Sequence, residues 1–115
     1  MQEYDMSGPL RSIKILDLTN VISGPSATMI LAGQGADVIK VELPGVGDFV
    51  RSTGNKKGGM SATFLNNNRN KRSITVGLKD QRGKDVLLKL VESCDAMAQN
   101  FRPGVVEGSA FPTTT

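Results

Sequence analysis

The amino-acid sequence predicts an α/β fold: a Rossmann-like open parallel sheet of about four strands with flanking helices. Three observations carry this expectation. A strand-like run, a helix-compatible stretch and a second strand-like run follow one another within about thirty residues, the pattern of a βαβ unit with a right-handed crossover. Further along, a β-branched run precedes a stretch with helical apolar spacing, and one more apolar run follows it. Glycine, the strongest local breaker, falls mostly between these runs.

Each element has its own local reason. IKILDL (13–18) is apolar, β-branched and free of breakers, so it reads as a buried strand. In SGPSATMILAGQG, Gly24 permits a tight turn, Pro25 suits a first helical position, and Gly33 or Gly35 stops the helix. ADVIKVEL (36–43) is the second strand. The stretch PGVGDFVRSTGNKKGGMSA is glycine-rich and mixed in charge, and reads as a long mobile loop. RSITVGL (72–78) is the third strand. KDQRGKDVLLKLVESC reads as an amphipathic helix, with Asp80 as N-cap and Val86, Leu87, Leu90 and Val91 facing inward. DAMAQNF (95–101) is the fourth strand. The expected organisation is an extension over 1–8, a domain over 9–106 and a frayed polar tail over 107–115.

Composition excludes several classes of function. A chain of 115 residues makes one domain with a modest core. Hydrophobic residues at 38% and charged residues at 22% suit a soluble globular chain. No apolar run approaches the ~20 residues of a membrane span. The polar, acidic opening MQEYDMSGPL is unlike a secretory signal, and a single cysteine, Cys94, fits a reducing compartment. A cytoplasmic location is therefore expected. Without histidine, no Ser-His-Asp or Cys-His arrangement can form, and a lone cysteine argues against zinc. Neither a metal site nor a catalytic residue is expected among these residues. Asp17 and Glu42 lie near strand ends, and the expectation is that each fixes a loop or orients a cation. Cys94 reads as an inert core thiol.

The charge distribution is more informative than the net charge of +3. Between Arg51 and Lys84 stand nine cations and one acid, Asp80. Such an excess favours an acidic ligand, although a charge run is commonly a solvated flank. In open α/β sheets, ligands bind beyond the carboxyl ends of the strands. Those ends deliver Thr19 to Ser23, Glu42 and Leu43, Gly77 to Lys79, and Asn100 to Arg102. The helix N-terminus beside Gly24 and Pro25 offers N–H groups to an anion. Neither G-x-G-x-x-G nor a Walker-type loop is present, and GQG falls at a helix end as a cap. The residues alone give an anion-friendly edge without naming the ligand.

Two long stretches then carry a resemblance. PLRSIKILDLTNVISGPSATMILAGQGADVIKVELPGVGD and NNNRNKRSITVGLKDQRGKDVLLKLVESCDAMAQNFRPGV resemble successive blocks of the family III CoA-transferases, over roughly residues 9–106. The resemblance implies a CoA-binding α/β part, with coenzyme A or an acyl-CoA as ligand and the cations meeting its phosphates. Carried over by position, the implied CoA contacts are Val21, Ile22, Ser23, Leu43, Val76, Gly77, Leu78, Lys79, Asn100, Phe101 and Arg102. Lys79 is the leading candidate for a phosphate or ribose contact. The side chains of Val21, Val76 and Leu78 are expected in the core, and Asn100 could tie its own loop. Arg69, Lys71 and Arg72 could instead meet acidic groups elsewhere in a larger assembly.

Departures from the family pattern temper the expectation. Leu43 stands where relatives often place arginine, and Gly77 where they place an acid. The catalytic aspartate of the family follows a glycine-rich S-G-F-G-like stretch that is not among these residues. A truncated form with weak CoA binding and no transferase activity of its own is therefore expected. A homo-oligomer, most simply a dimer, is expected to cover apolar surface. The alternatives are a self-associating domain without ligand and a nucleic-acid binder, the latter disfavoured by the shortage of aromatic residues.

Overall fold

The computed structural model describes residues 8–102. Along the chain come β1 (Lys14–Asp17), α1 (Ser23–Gly33), β2 (Asp37–Glu42) and a 3-10 turn (Phe49–Ser52). Next come the short strands β3 (Lys56–Lys57) and β4 (Met60–Ser61), then α2 (Ala62–Asn68), β5 (Arg72–Thr75), α3 (Gln81–Glu92) and β6 (Ala96–Ala98). The four longer strands form one sheet in the order β5-β2-β1-β6, every neighbouring pair parallel. Among the described residues only β3 and β4 pair antiparallel, as a separate hairpin. The expected open parallel sheet of four strands with flanking helices is present.

Strand alternation explains the two faces of the sheet, because successive side chains point to opposite sides. Leu16, Leu18, Val41 and Val76 pack with Leu87 of α3 in one core cluster. Ile15 and Val38 pack with Ala32 and Ala36 at the C-terminal end of α1 in a second. Toward the carboxyl ends of the strands this second face turns polar. Asp17, Lys40 and Glu42 follow Ile15 and Val38 at two-residue spacing, and all three are buried.

The helices begin and end for identifiable reasons. Asp80 caps α3, its carboxylate accepting from the Arg82 amide at 2.9 Å. After α1, Gly35 takes φ 101°, the left-handed conformation that ends helices. No side chain caps the other end of α1, and Pro25 is its third residue, so it occupies the first turn without opening it.

Several expectations are corrected. The strands are shorter than the apolar runs: β5 stops at Thr75, before Val76–Leu78, because pairing with β2 stops at Glu42. Val86 is exposed, leaving Leu87, Leu90 and Val91 as the inner face of α3. The stretch 44–62 is not one loose loop, since it holds the 3-10 turn and the hairpin. Helix α2 had no expected counterpart. Of the expected extension over 1–8, residues 1–7 lie outside the described residues, as does the tail over 107–115.

Candidate functional site

The sheet order places the switch point between β1 and β6: from β1 the chain moves outward to β2 and β5, then crosses back to β6 on the other side of β1. Ligands of open α/β sheets lie at such a point. Val21, Ile22 and Ser23 follow β1 there, and Asn100, Phe101 and Arg102 follow β6. Leu43 follows β2, with Val76, Gly77, Leu78 and Lys79 after the adjacent strand β5. The eleven sequence-predicted residues thus fall into two groups, each at the carboxyl ends of two paired strands.

Their surroundings differ. Val21, Ile22, Ser23 and Leu43 are exposed, which corrects the expectation that Val21 is a core side chain. Val76 is buried as expected and can face a ligand only through backbone, while half-buried Leu78 packs against the same cluster. Lys79 and Arg102 are exposed, and among the described residues neither forms an ion pair. Asn100 binds the Asn20 peptide on both sides: its Oδ1 accepts from the Asn20 amide at 3.1 Å and its Nδ2 donates to the Asn20 carbonyl at 2.9 Å. A cleft of ≈ 230 Å³ opens beside Leu43, bordered by Val46, Arg51, Ser73 and Thr75.

Behind this edge lies a buried ionic network that the sequence reading missed. Lys71 Nζ donates to Asp17 Oδ2 at 2.8 Å, to Asn68 Oδ1 at 2.8 Å and to the Pro25 carbonyl at 3.1 Å. Asp17 also accepts from the Thr19 amide and from the hydroxyls of Thr19 and Thr28. Burial opposes ionisation of Asp17, but Lys71 and Thr19 overcome it and hold the carboxyl below its usual range. Lys40 is buried in contact with Asp48, 2.8 Å from Oδ2.

Glu42 forms the third part. Arg51 meets it with two hydrogen bonds of 2.7 Å, and the guanidinium stacks 3.7 Å over the Phe64 ring. Burial raises the Glu42 pKa, but Arg51, the Ser73 hydroxyl and the Asp48 amide together bring it down to about 2. Asp17 and Glu42 are therefore fully engaged carboxylates that fix loops and orient cations. Lys71 and Arg72 find their acids within the chain, Arg72 pairing with Asp37 at 2.6 Å. One signal could have exposed the network: in DVIKVE, Lys40 and Glu42 keep step with Val38, which points inward.

The chain is thus an open α/β domain with a polar, partly cationic carboxyl edge, the edge at which domains of this architecture carry their ligand sites. Compared with known families, residues 10–111 match CoA-transferase family III, and the chain belongs to that family. It is 45% identical over 108 residues to formyl-CoA:oxalate CoA-transferase of Bradyrhizobium sp. (strain ORS 278), covering 93% of this chain and 25% of that one. The formyl-CoA:oxalate CoA-transferase of Escherichia coli O139:H28 is 46% identical over 107 residues, covering 92% and 26%. Among solved structures, a CAIB/BAIF family protein from Brucella suis superposes with a TM-score of 0.81 at 35% identity, over 88% of this chain and 28% of that one. Hypothetical protein Rv3272 from Mycobacterium tuberculosis gives 0.80 at 38% identity, over 89% and 28%. The chain spans about a quarter of the length of the curated relatives it matches.

Proposed function

We propose that this chain is the CoA-binding part of a family III CoA-transferase, and that by itself it holds CoA or an acyl-CoA weakly without transferring it. The activity behind the site is exchange of CoA between an acyl-CoA and a carboxylic acid. One observation carries the reading: residues from four separate segments meet at the carboxyl edge of the sheet, beside the uncapped N-terminus of α1. Exposed Lys79 and Arg102 supply positive charge at that edge. Phosphate groups suit both features, since orphan helix N–H groups and cations each favour an anion. Lys79 meets a phosphate or the ribose, and Val21–Ser23 offer backbone groups. The catalytic aspartate belongs to a part of the family pattern not found among these residues. Titration calorimetry of the purified chain with CoA tests the reading. Heat that fits micromolar to millimolar binding supports it; no heat and no thermal shift overturn it.

A second reading rests on surface composition. Val46, Phe49, Ile30 and Leu65 are all exposed, and apolar surface of that kind is commonly covered by a partner. A self-associated state, most simply a homodimer, covers it, and sedimentation as a monomer at high concentration contradicts that. Nucleic-acid binding is disfavoured because Arg51, Lys71, Arg72 and Arg82 are already paired with acids of this chain. The basic run is thereby broken up as an electrostatic footprint. No helix among the described residues is long and apolar enough to cross a membrane.

A further inference from the structure

The loop between β1 and α1 is held in an unusual way. Four consecutive backbone groups, the Thr19 carbonyl, the Asn20 amide and carbonyl, and the Val21 amide, are each bound by a side chain from another segment. Lys40 Nζ donates to the Thr19 carbonyl at 2.9 Å. Asn100 takes both sides of the Asn20 peptide. Asp48 Oδ1 accepts from the Val21 amide at 3.0 Å and from the Val50 amide at 3.1 Å. Asp48 is in turn fixed by its own amide, which donates to Glu42 Oε1 at 2.9 Å.

Two features of this clamp go beyond what the fold requires. Lys40 and Asp48 are 1% and 0% exposed. A buried ion pair is a poor stabiliser compared with apolar side chains of similar size, and beneath α3 the same sheet buries an apolar cluster of Leu16, Leu18, Val41, Val76 and Leu87. What the pair does hold is Val21, a β-branched residue at φ 74°. That conformation is strained for any residue with a branched Cβ and persists only where the surroundings over-determine it.

We propose that Lys40, Asp48 and Asn100 are positioning residues, which together hold Val21 left-handed and so aim the Val21–Ser23 backbone and the start of α1 at the ligand. Asn100 then acts through Asn20 and not by touching CoA. The inference rests on the CoA-binding reading for its consequence, but the loop conformation can be measured without any ligand. If only a fraction of molecules hold the loop in its binding form, apparent affinity falls by that fraction.

The test uses the full chain labelled with ¹⁵N, as parent, Asp48→Asn, Asn100→Ala and Asp48→Asn/Val21→Gly. Expected are displaced amide signals for Asn20 to Ser23 in both single variants, and about tenfold weaker CoA binding well below the melting temperature. Adding Val21→Gly, which removes the Cβ that opposes positive φ, returns the amide of Ile22 toward its parent position and restores affinity. A purely structural role lowers the melting temperature but leaves the affinity of folded molecules and the Val21→Gly rescue unmoved. Unchanged amide signals in the folded variants overturn the proposal. If Asp48→Asn does not fold, Asn100→Ala decides, because Asn100 is exposed. A parent that binds no CoA sinks the functional reading, while the amide signals still decide the positioning role.

Discussion

Gly83 in the first turn of α3 lies so closely against Gly77 that a Cβ on it would overlap the Gly77 carbonyl oxygen. Nothing flexible can give way, because the obstructing atom is backbone. The contact fixes where α3 starts relative to Gly77–Lys79, three of the residues proposed to meet CoA. A Gly→Ala change inside a helix ordinarily stabilises by about 0.5–1 kcal/mol. Here the sign reverses: Gly83→Ala costs about 2–3 kcal/mol through forced displacement, read from the urea midpoint. A midpoint unchanged or raised contradicts the contact.

The pair Asp17–Lys71 supports a second expectation. Both side chains are buried, and every Lys71 donor has a partner. Lys71→Met strands the Asp17 charge, which loses about 3–5 kcal/mol. The double variant Asp17→Asn/Lys71→Met recovers much of that, since no bare charge remains. Equal losses in the single and double variants, measured by chemical denaturation, count against the pairing.

Acid stability follows from Glu42. Its carboxyl titrates at about 2 in the folded chain against an ordinary 4.5. The unfolded chain therefore takes up the proton first, so the stabilisation is present above pH 4.5 and is lost as the pH falls toward 2. Allowing for the solvent that reaches Arg51, the contribution is about 2 kcal/mol. Asp17, also held low, adds in the same direction. Glu42→Gln flattens the dependence of the denaturation midpoint across this window; an undiminished slope refutes it.

How far these features were legible depends on whether a local signal existed. Strands β1 and β2 and helix α3 were readable, because apolar runs and helical spacing state burial directly. Asp80 was readable as a cap from its place before the helical pattern. Helix α2 was not, since five of the seven residues of ATFLNNN (one threonine, one phenylalanine and three asparagines) rank low as helix formers. A local cap from Ser61 and the burial of Phe64 and Asn68 specify it instead. The edge residues Val21–Ser23 and Asn100–Arg102 could be assigned to strand ends, but their pairing across the switch point needed the order of strands. The ionic network was hidden for a different reason. The step of Lys40 with Val38 marks it as inward-facing, but Lys71 looks in sequence like a surface cation, and nothing in the local pattern reveals that Asp48 and Asp17 will meet these two lysines.

The central claim is that the carboxyl edge still recognises CoA, with Lys79 as its principal cation. Lys79 is exposed and free of ion pairs among the described residues, so its removal leaves stability within about 0.5 kcal/mol. The most direct measurement is calorimetric titration with CoA of the parent, of Lys79→Ala and of Lys57→Ala, which removes an exposed cation on the hairpin. The account predicts measurable binding that weakens about tenfold in Lys79→Ala, as expected for one charge-assisted contact, and hardly at all in Lys57→Ala. Equal affinities in all three chains, or no binding by the parent, would contradict it.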